Sequence, residues 1–218
     1  MNCNGLQLSG NSPAKGIQDT TLEKQLIYNG KIWRNLYIRV KGEPFFLTGE
    51  FLNADVIFNG KQFRDLRIKF DIFNDEVILF VNPTIIIILN KEMINEFNFS
   101  YENRLYRIVN MGIDSTRVLN GFVSVLYNGA TPLFAKYLKK IELQPYDRQN
   151  DVFYQLHRIY IKIDSVIVQI SGKRELFKIL QDRQSEIRDY VRANRVKITR
   201  KDPYTFIPLL QFFDSKNR

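Results

Sequence analysis

Residues able to do chemistry are few and scattered. His157 is the only histidine, so a Ser–His–Asp relay would have to use it, and no Gly-x-Ser-x-Gly elbow accompanies it. It shares strand parity with Ile159, Ile161 and Ile163, which predicts a hydrogen-bonded histidine on the core face or its rim. The single cysteine, Cys3, rules out an internal disulfide and a thiolate-based metal site. Asp71, Asp75 and Glu76 are the best acidic cluster, and paired carboxylates can exchange protons or hold a hard cation. Asp71 falls on the polar side of its strand and the other two in a turn, so a solvated turn is the plainer reading. There is no Walker loop and no Gly-x-Gly-x-x-Gly after a strand, and Asn98-Phe99-Ser100 fits a glycosylation pattern too common to carry weight alone. No residue is therefore assigned a catalytic, cofactor-binding or metal-binding role, and no cofactor is expected. An enzyme working through surface carboxylates such as Asp71 and Asp75 is the weaker alternative.

Binding chemistry is better represented than catalytic chemistry. The chain carries a net charge of +9, and residues 173–218 hold 12 basic and 6 acidic residues, so two-thirds of the surplus lies at the C-terminal end. Such a patch suits an acidic protein face, nucleic acid or anionic lipid, and its plain alternative is a solvated helix face. The candidate partner-binding residues are Arg188, Arg192, Arg195, Lys197, Arg200 and Lys201. Tyr101, Arg104, Tyr106 and Arg107 form a second, weaker set, because exposed aromatics between cations can stack bases. Tyrosines covering a strand face would give the same pattern.

The elements that would position these groups are mostly strands. Leu26 to Ile38 aligns with Val56 to Ile68 at an offset of 30 residues, with seven of 13 positions identical. In each copy an Asn-Gly pair, 29–30 and 59–60, sits between apolar runs. That dipeptide favours the type I′ turn, which needs positive φ at both central residues, so each copy is predicted to be a β-hairpin. Trp33 and Phe63 lie on the opposite parity to the apolar residues that follow them. One extra residue near Arg34-Asn35 and Arg64-Asp65 would restore the phase, which predicts a bulge or a short break at both places; the alternative is that Trp33 and Phe63 cover the outer face. A third Asn-Gly, 128–129, follows another apolar run. Further strands are expected at 76–81, 84–89, 96–99, 104–109, 122–127, 133–141, 153–163 and 166–170. The run Ile85 to Leu89 is apolar at every position, which predicts a strand covered on both faces, central or beneath helices.

After Gly172 the period changes. Leu176, Leu180, Ile187 and Val191 recur at helical spacing, and Asp202-Pro203 reads as a cap and first-turn proline ahead of a short apolar helix from Tyr204 to Phe213. The fold expected is mainly β with C-terminal helices: an antiparallel meander forming a barrel-like or two-layer sheet. It divides into a polar tail at 1–22, a β domain at 23–171 with the two related hairpins, and a basic helical segment at 172–218 packed on the sheet. No stretch approaches the roughly 18 apolar residues of a membrane helix.

Several pieces in order, Gly42 to Phe46, the hairpin Val56 to Gly60, Phe70-Asp71 through Val77, Gly121-Phe122 through Gly129, and the basic ending from Lys173 to Phe213, resemble an uncharacterised family of exported cell-envelope proteins found mainly in Bacteroidota. The resemblance covers most of the chain after residue 24. It implies a non-enzymatic protein of the periplasm or outer membrane, present here in processed form, and a cytoplasmic one if no signal was removed. A protein partner, such as an outer-membrane complex, is then the expected ligand, with nucleic acid as the alternative.

Overall fold

The computed structural model describes residues 25–112, 118–143, 151–180 and 184–216. The tail at 1–22, with Cys3, lies outside them. Eleven strands form one antiparallel sheet: β1 (Lys31–Ile32), β2 (Leu52–Phe58), β3 (Lys61–Asp71), β4 (Glu76–Asn82), β5 (Ile85–Ile88), β6 (Ile94–Tyr101), β7 (Arg104–Asn110), β8 (Phe122–Tyr127), β9 (Leu133–Glu142), β10 (Val152–Ile163) and β11 (Val166–Ile170). Edge to edge the order is β1-β5-β4-β3-β2-β6-β7-β8-β9-β10-β11. β2 to β5 and β6 to β11 are therefore two meanders, joined where β6 pairs with the outer side of β2. No helix is long and apolar enough to cross a membrane among the described residues.

The sheet is strongly curled. Phe70 on β3 and Phe122 on β8 are four strand steps apart, about 19 Å in a flat sheet, yet their rings meet at 5.6 Å. Phe97 of β6 contacts both, at 5.2 and 5.5 Å. Aromatic side chains thus fill the concave side, where edge-to-face pairs add to simple burial. The curl is stitched on one flank, where Lys139 N–H of β9 donates to the Ile72 carbonyl at 3.2 Å. A strap at 41–46 crosses the same gap: Phe46 N–H donates to Phe70 O at 2.8 Å, and Phe153 N–H to Lys41 O at 3.0 Å. β1 and β11 remain unpaired with each other, so the expected antiparallel sheet is curled but open, and not a closed barrel.

The expected hairpin at 56–68 is present. Asn59 and Gly60 both have positive φ, 51° and 76°, as the type I′ turn requires. Val56 faces Phe63 and Ala54 faces Leu66, so Asp55 opposes both Arg64 and Asp65. This is the bulge inferred from the phase shift, with Asp65 at φ 54° and its N–H donating to Asp55 Oδ1 at 3.3 Å.

The matching hairpin at 26–38 does not form. Residues 25–27 make a helical turn, only Lys31 and Ile32 pair, with Ile88 and Ile87 of β5, and Leu36 and Ile38 are 79% and 83% exposed. At Arg34-Asn35, where a bulge or a short break is expected, the strand is broken and no bulge forms: it ends at Ile32, and Asn35 Oδ1 accepts the Tyr37 N–H at 3.0 Å in a local turn. The physical difference lies in the incoming arm. The second copy has a full incoming strand from Leu52, whose alternate residues Ala54, Val56 and Phe58 are buried. The first has only Leu26, Ile27 and Tyr28 behind Glu23, Lys24 and Gln25. Gly30 accordingly serves a packing role: a Cβ there would overlap the Ile88 carbonyl.

β5 is also corrected. It is next to the edge and shielded by β1 over two residues, which leaves Ile85 40% exposed. The helices lie elsewhere. α1 (Lys173–Ile179), α2 (Gln184–Ala193), a 3-10 turn at Pro203–Phe206 and α3 (Ile207–Lys216) pack on the β9–β11 part of the sheet. Leu176, Leu180, Ile187, Phe206, Leu209 and Leu210 form a second core with Leu133, Ile159, Ile161 and Ile170. Asp202 caps the 3-10 turn, accepting the Tyr204 N–H at 3.0 Å, as its place before Pro203 implied. The apolar helix is anchored by buried Asp214, whose Oδ2 accepts the Tyr127 hydroxyl at 2.9 Å and the Thr131 N–H at 3.0 Å.

The two Asn-Gly sites should respond differently to one added methyl. Gly60→Ala has open space and carries only the strain of a Cβ in the left-handed region, about 1–2 kcal/mol. Gly30→Ala must push β1 off β5. Denaturant unfolding with amide exchange is expected to show Gly60→Ala weakening the molecule globally, with Gly30→Ala exposing the amides that tie Trp33 to β5.

Candidate functional site

The acidic cluster is taken up by structure. Asp71 is buried, and its Oδ1 accepts the Phe73 and Asn74 N–H groups, each at 2.9 Å, while Oδ2 accepts the Asn74 amide at 2.8 Å. It is the cap of the β3–β4 turn. Burial pushes its carboxyl above the ordinary 3.8, against the pull of those hydrogen bonds. Glu76 is raised as well, by burial and then by the neighbouring Asp71 charge. Asp75, in the left-handed region at φ 59°, is the hub of an ion network. Its Oδ2 accepts Lys91 Nζ at 2.6 Å and Lys136 Nζ at 2.9 Å. Lys136, only 8% exposed, also donates to the Asn120 carbonyl at 2.9 Å. Burial lowers its pKa, and the Asp75 charge beside it opposes that. Gly121 completes the arrangement, since a Cβ there would overlap the Asp75 carboxylate. Asp75 thus ties the β3–β4 turn to the β5–β6 connection and to β9.

His157 is half-buried and its Nε2 lies 2.8 Å from the Arg200 carbonyl. A carbonyl only accepts, so Nε2 carries the hydrogen. The base-stacking set is corrected. Tyr106 is buried and stacks on Phe99 at 5.3 Å, and Tyr101 packs against the same core. Arg107 pairs with Glu96 at 2.6 Å, and Arg104 covers the Tyr204 ring at 4.1 Å. These residues hold strands and the 3-10 turn together. Among the described residues no three His, Cys, Asp or Glu side chains converge as a metal-ligand set.

Of the six basic candidates the structure brings two together. Arg188 and Arg192, one turn apart on α2, join Lys173 and Arg174 of α1 around a groove of about 490 Å³. Its floor is Phe177 of α1 and Val191 of α2, both almost fully buried. Within the described residues, none of the four cations forms an ion pair. Lys173 Nζ lies over the Phe177 ring at 5.3 Å. The other four candidates lie outside the groove. Arg195, at φ 50°, ends α2: its N–H donates to the Arg192 carbonyl at 3.3 Å and the Val196 N–H to the Val191 carbonyl at 3.0 Å, the Schellman pattern. Lys197, Arg200 and Lys201 are exposed on the connection that follows, with the Arg200 carbonyl engaged by His157.

Lys173 and Arg174 were outside the basic set read from the sequence. Their signal is positional: they stand four and three residues before Phe177, as Arg188 stands three before Val191, so each pair shares a helix face. A second concavity, of about 560 Å³, lies between residues 29–31, 74–76 and 88–92. There Asp75 and Lys91 already neutralise one another.

No family model matches the chain, and no curated protein or solved structure shows significant similarity to it.

Two predictions follow from the acidic cluster. Asp75→Ala strands Lys136 as a nearly buried, unpaired cation and should cost about 2–4 kcal/mol in denaturant unfolding. Adding Lys136→Met should recover part of it, because a hydrophobe replaces the orphaned charge. For Asp71 the folded pKa lies above the unfolded one, so its contribution to stability is complete below about pH 3.8 and is lost as pH rises through the raised folded value. The stability of the wild type relative to Asp71→Asn should therefore fall from acidic to neutral pH, and a rising difference would reverse that sign.

Proposed function

We propose that this chain is a non-catalytic binding protein of the cell envelope, an accessory subunit that holds a partner protein through its basic helical end. One observation carries the reading: Lys173, Arg174, Arg188 and Arg192 surround one groove and, within the described residues, none is neutralised by an ion pair. Exposed cations that converge on one groove with no carboxylate in its lining give a positive surface that an acidic partner face complements. The groups that could have done acid–base work support the same view, since Asp71 caps a turn, Asp75 binds two lysines and His157 holds a carbonyl. The envelope location rests on the family resemblance given above. The loss of Tyr106 and Arg107 to internal contacts disfavours the nucleic-acid alternative.

The test is capture from native membranes with the full chain as bait, followed by a binary affinity measurement on the recovered partner. Arg188→Glu with Arg192→Glu should weaken that affinity by roughly a hundredfold, and raised salt should weaken the wild type. Equal affinity for wild type and variant would refute the reading. Tight, steeply salt-dependent binding of single-stranded DNA or RNA in place of a protein would favour the alternative.

A further inference from the structure

We infer that the groove between α1 and α2 receives an acidic peptide segment that inserts one apolar side chain onto Phe177 and Val191, in preference to a flat acidic surface. This inference rests on the reading under Proposed function and specifies the shape and chemistry of the partner.

Two features of the groove have to be met by one occupant. The floor is apolar: Phe177 and Val191 are 9% and 8% exposed, so each is fixed by the core beneath it and offers only its outer surface. Leu176 and Leu180 on one helix, and Ile187 on the other, seal the opposite sides against the sheet. The floor is therefore formed before any partner arrives and costs little to organise. The rim is cationic, with Lys173 and Arg174 on one bank and Arg188 and Arg192 on the other. A flat acidic face would satisfy the rim and leave the floor wet. A carboxylate-rich segment with one projecting apolar side chain satisfies both. Three of the four rim residues are arginines, whose planar forks hold carboxylates in two parallel hydrogen bonds. A space of about 490 Å³ suits one side chain with flanking acidic groups.

The same geometry argues against the other anionic ligands. A nucleobase needs a whole ring face to stack on, and Phe177, 9% exposed with Lys173 Nζ over its ring at 5.3 Å, leaves room for contact with one aliphatic side chain and not for a stacked base. A lipid chain needs an extended apolar channel, and here the floor is two side chains wide.

The probe is a short labelled peptide of Asp and Glu with one central Leu, set against the same peptide with Ser in place of Leu. Both are titrated into the full chain by fluorescence anisotropy. The Leu peptide should bind about tenfold or more tightly than the Ser peptide, the difference expected for burying one aliphatic side chain. Arg188→Ala with Arg192→Ala should weaken both peptides, and raised salt should do the same. Val191→Thr keeps the shape of the floor while making it polar, and should shrink the Leu-to-Ser ratio; the hydroxyl at this nearly buried site lowers the unfolding midpoint, so the ratio is read below that midpoint, where the variant is folded. Equal affinity for the two peptides overturns the inference. If the authentic partner is still lost on Arg188→Glu with Arg192→Glu, a flat acidic surface is the contact and the broader reading survives. Displacement of the Leu peptide by vesicles rich in anionic phospholipid, or by single-stranded DNA, at lower concentration than unlabelled peptide also overturns it.

Discussion

Everything in this molecule depends on the curl that brings Phe70 of β3 against Phe122 of β8. A sheet of eleven strands with one apolar face must either find a second layer or fold over on itself. Here it folds over, and Phe70, Phe97 and Phe122 meet on the inside. Once those rings touch, β3 and β9 are close enough to exchange a backbone hydrogen bond at Ile72 and Lys139, the strap at 41–46 can span the gap, and Asp75 can reach Lys136. The ion network is thus a consequence of the curl as well as a brace for it. The far end of the sheet, β9 to β11, is left with an apolar surface of its own, and the C-terminal helices exist to cover it.

That division explains how the charged residues are used. On the curled half, four ionisable groups from the candidate sets are used internally: Asp71 caps, Asp75 bridges, Arg107 pairs and Arg104 lies on an aromatic ring. Cations also buttress the outer sheet face, where Arg67 covers Phe80 at 4.2 Å and Lys69 lies over Phe51 at 4.4 Å. The helical end differs. There the apolar side chains point into the second core, and the cations of two helices meet at the rim of the seam between them without carboxylates in the lining. The convergence of four such cations on one apolar-floored groove is the strongest functional feature of the chain.

Much of this was legible in the sequence, and the failures have physical causes. Strand positions followed from period-two alternation, and the bulge at Arg64-Asp65 from a single phase slip. Local chemistry also gave the Asp202-Pro203 cap. The hairpin at 26–38 was misread because identity to 56–68 reports local preference only. A hairpin persists when its arms find neighbours, and the first copy lacks an apolar incoming arm long enough to recruit one. The Ile85 to Leu89 run was misread for a related reason: five apolar residues in a row suggest two covered faces, yet a strand beside the edge can leave Ile85 exposed. At the site, Arg188 and Arg192 were visible as a basic helical pair. Their meeting with Lys173 and Arg174 was not, because it depends on how two helices sit side by side on the sheet, which no single-helix pattern encodes.

The curl itself is open to direct measurement. Selective labelling of phenylalanine rings allows a proton–proton Overhauser contact between Phe70 and Phe122 to be sought in solution. Rings 5.6 Å apart should give a clear cross-peak that disappears on Phe122→Leu, with the rest of the spectrum dispersed. If no cross-peak appears in the folded protein, as a flat sheet separating those rings by about 19 Å requires, the sheet does not fold over and the architecture described here is wrong.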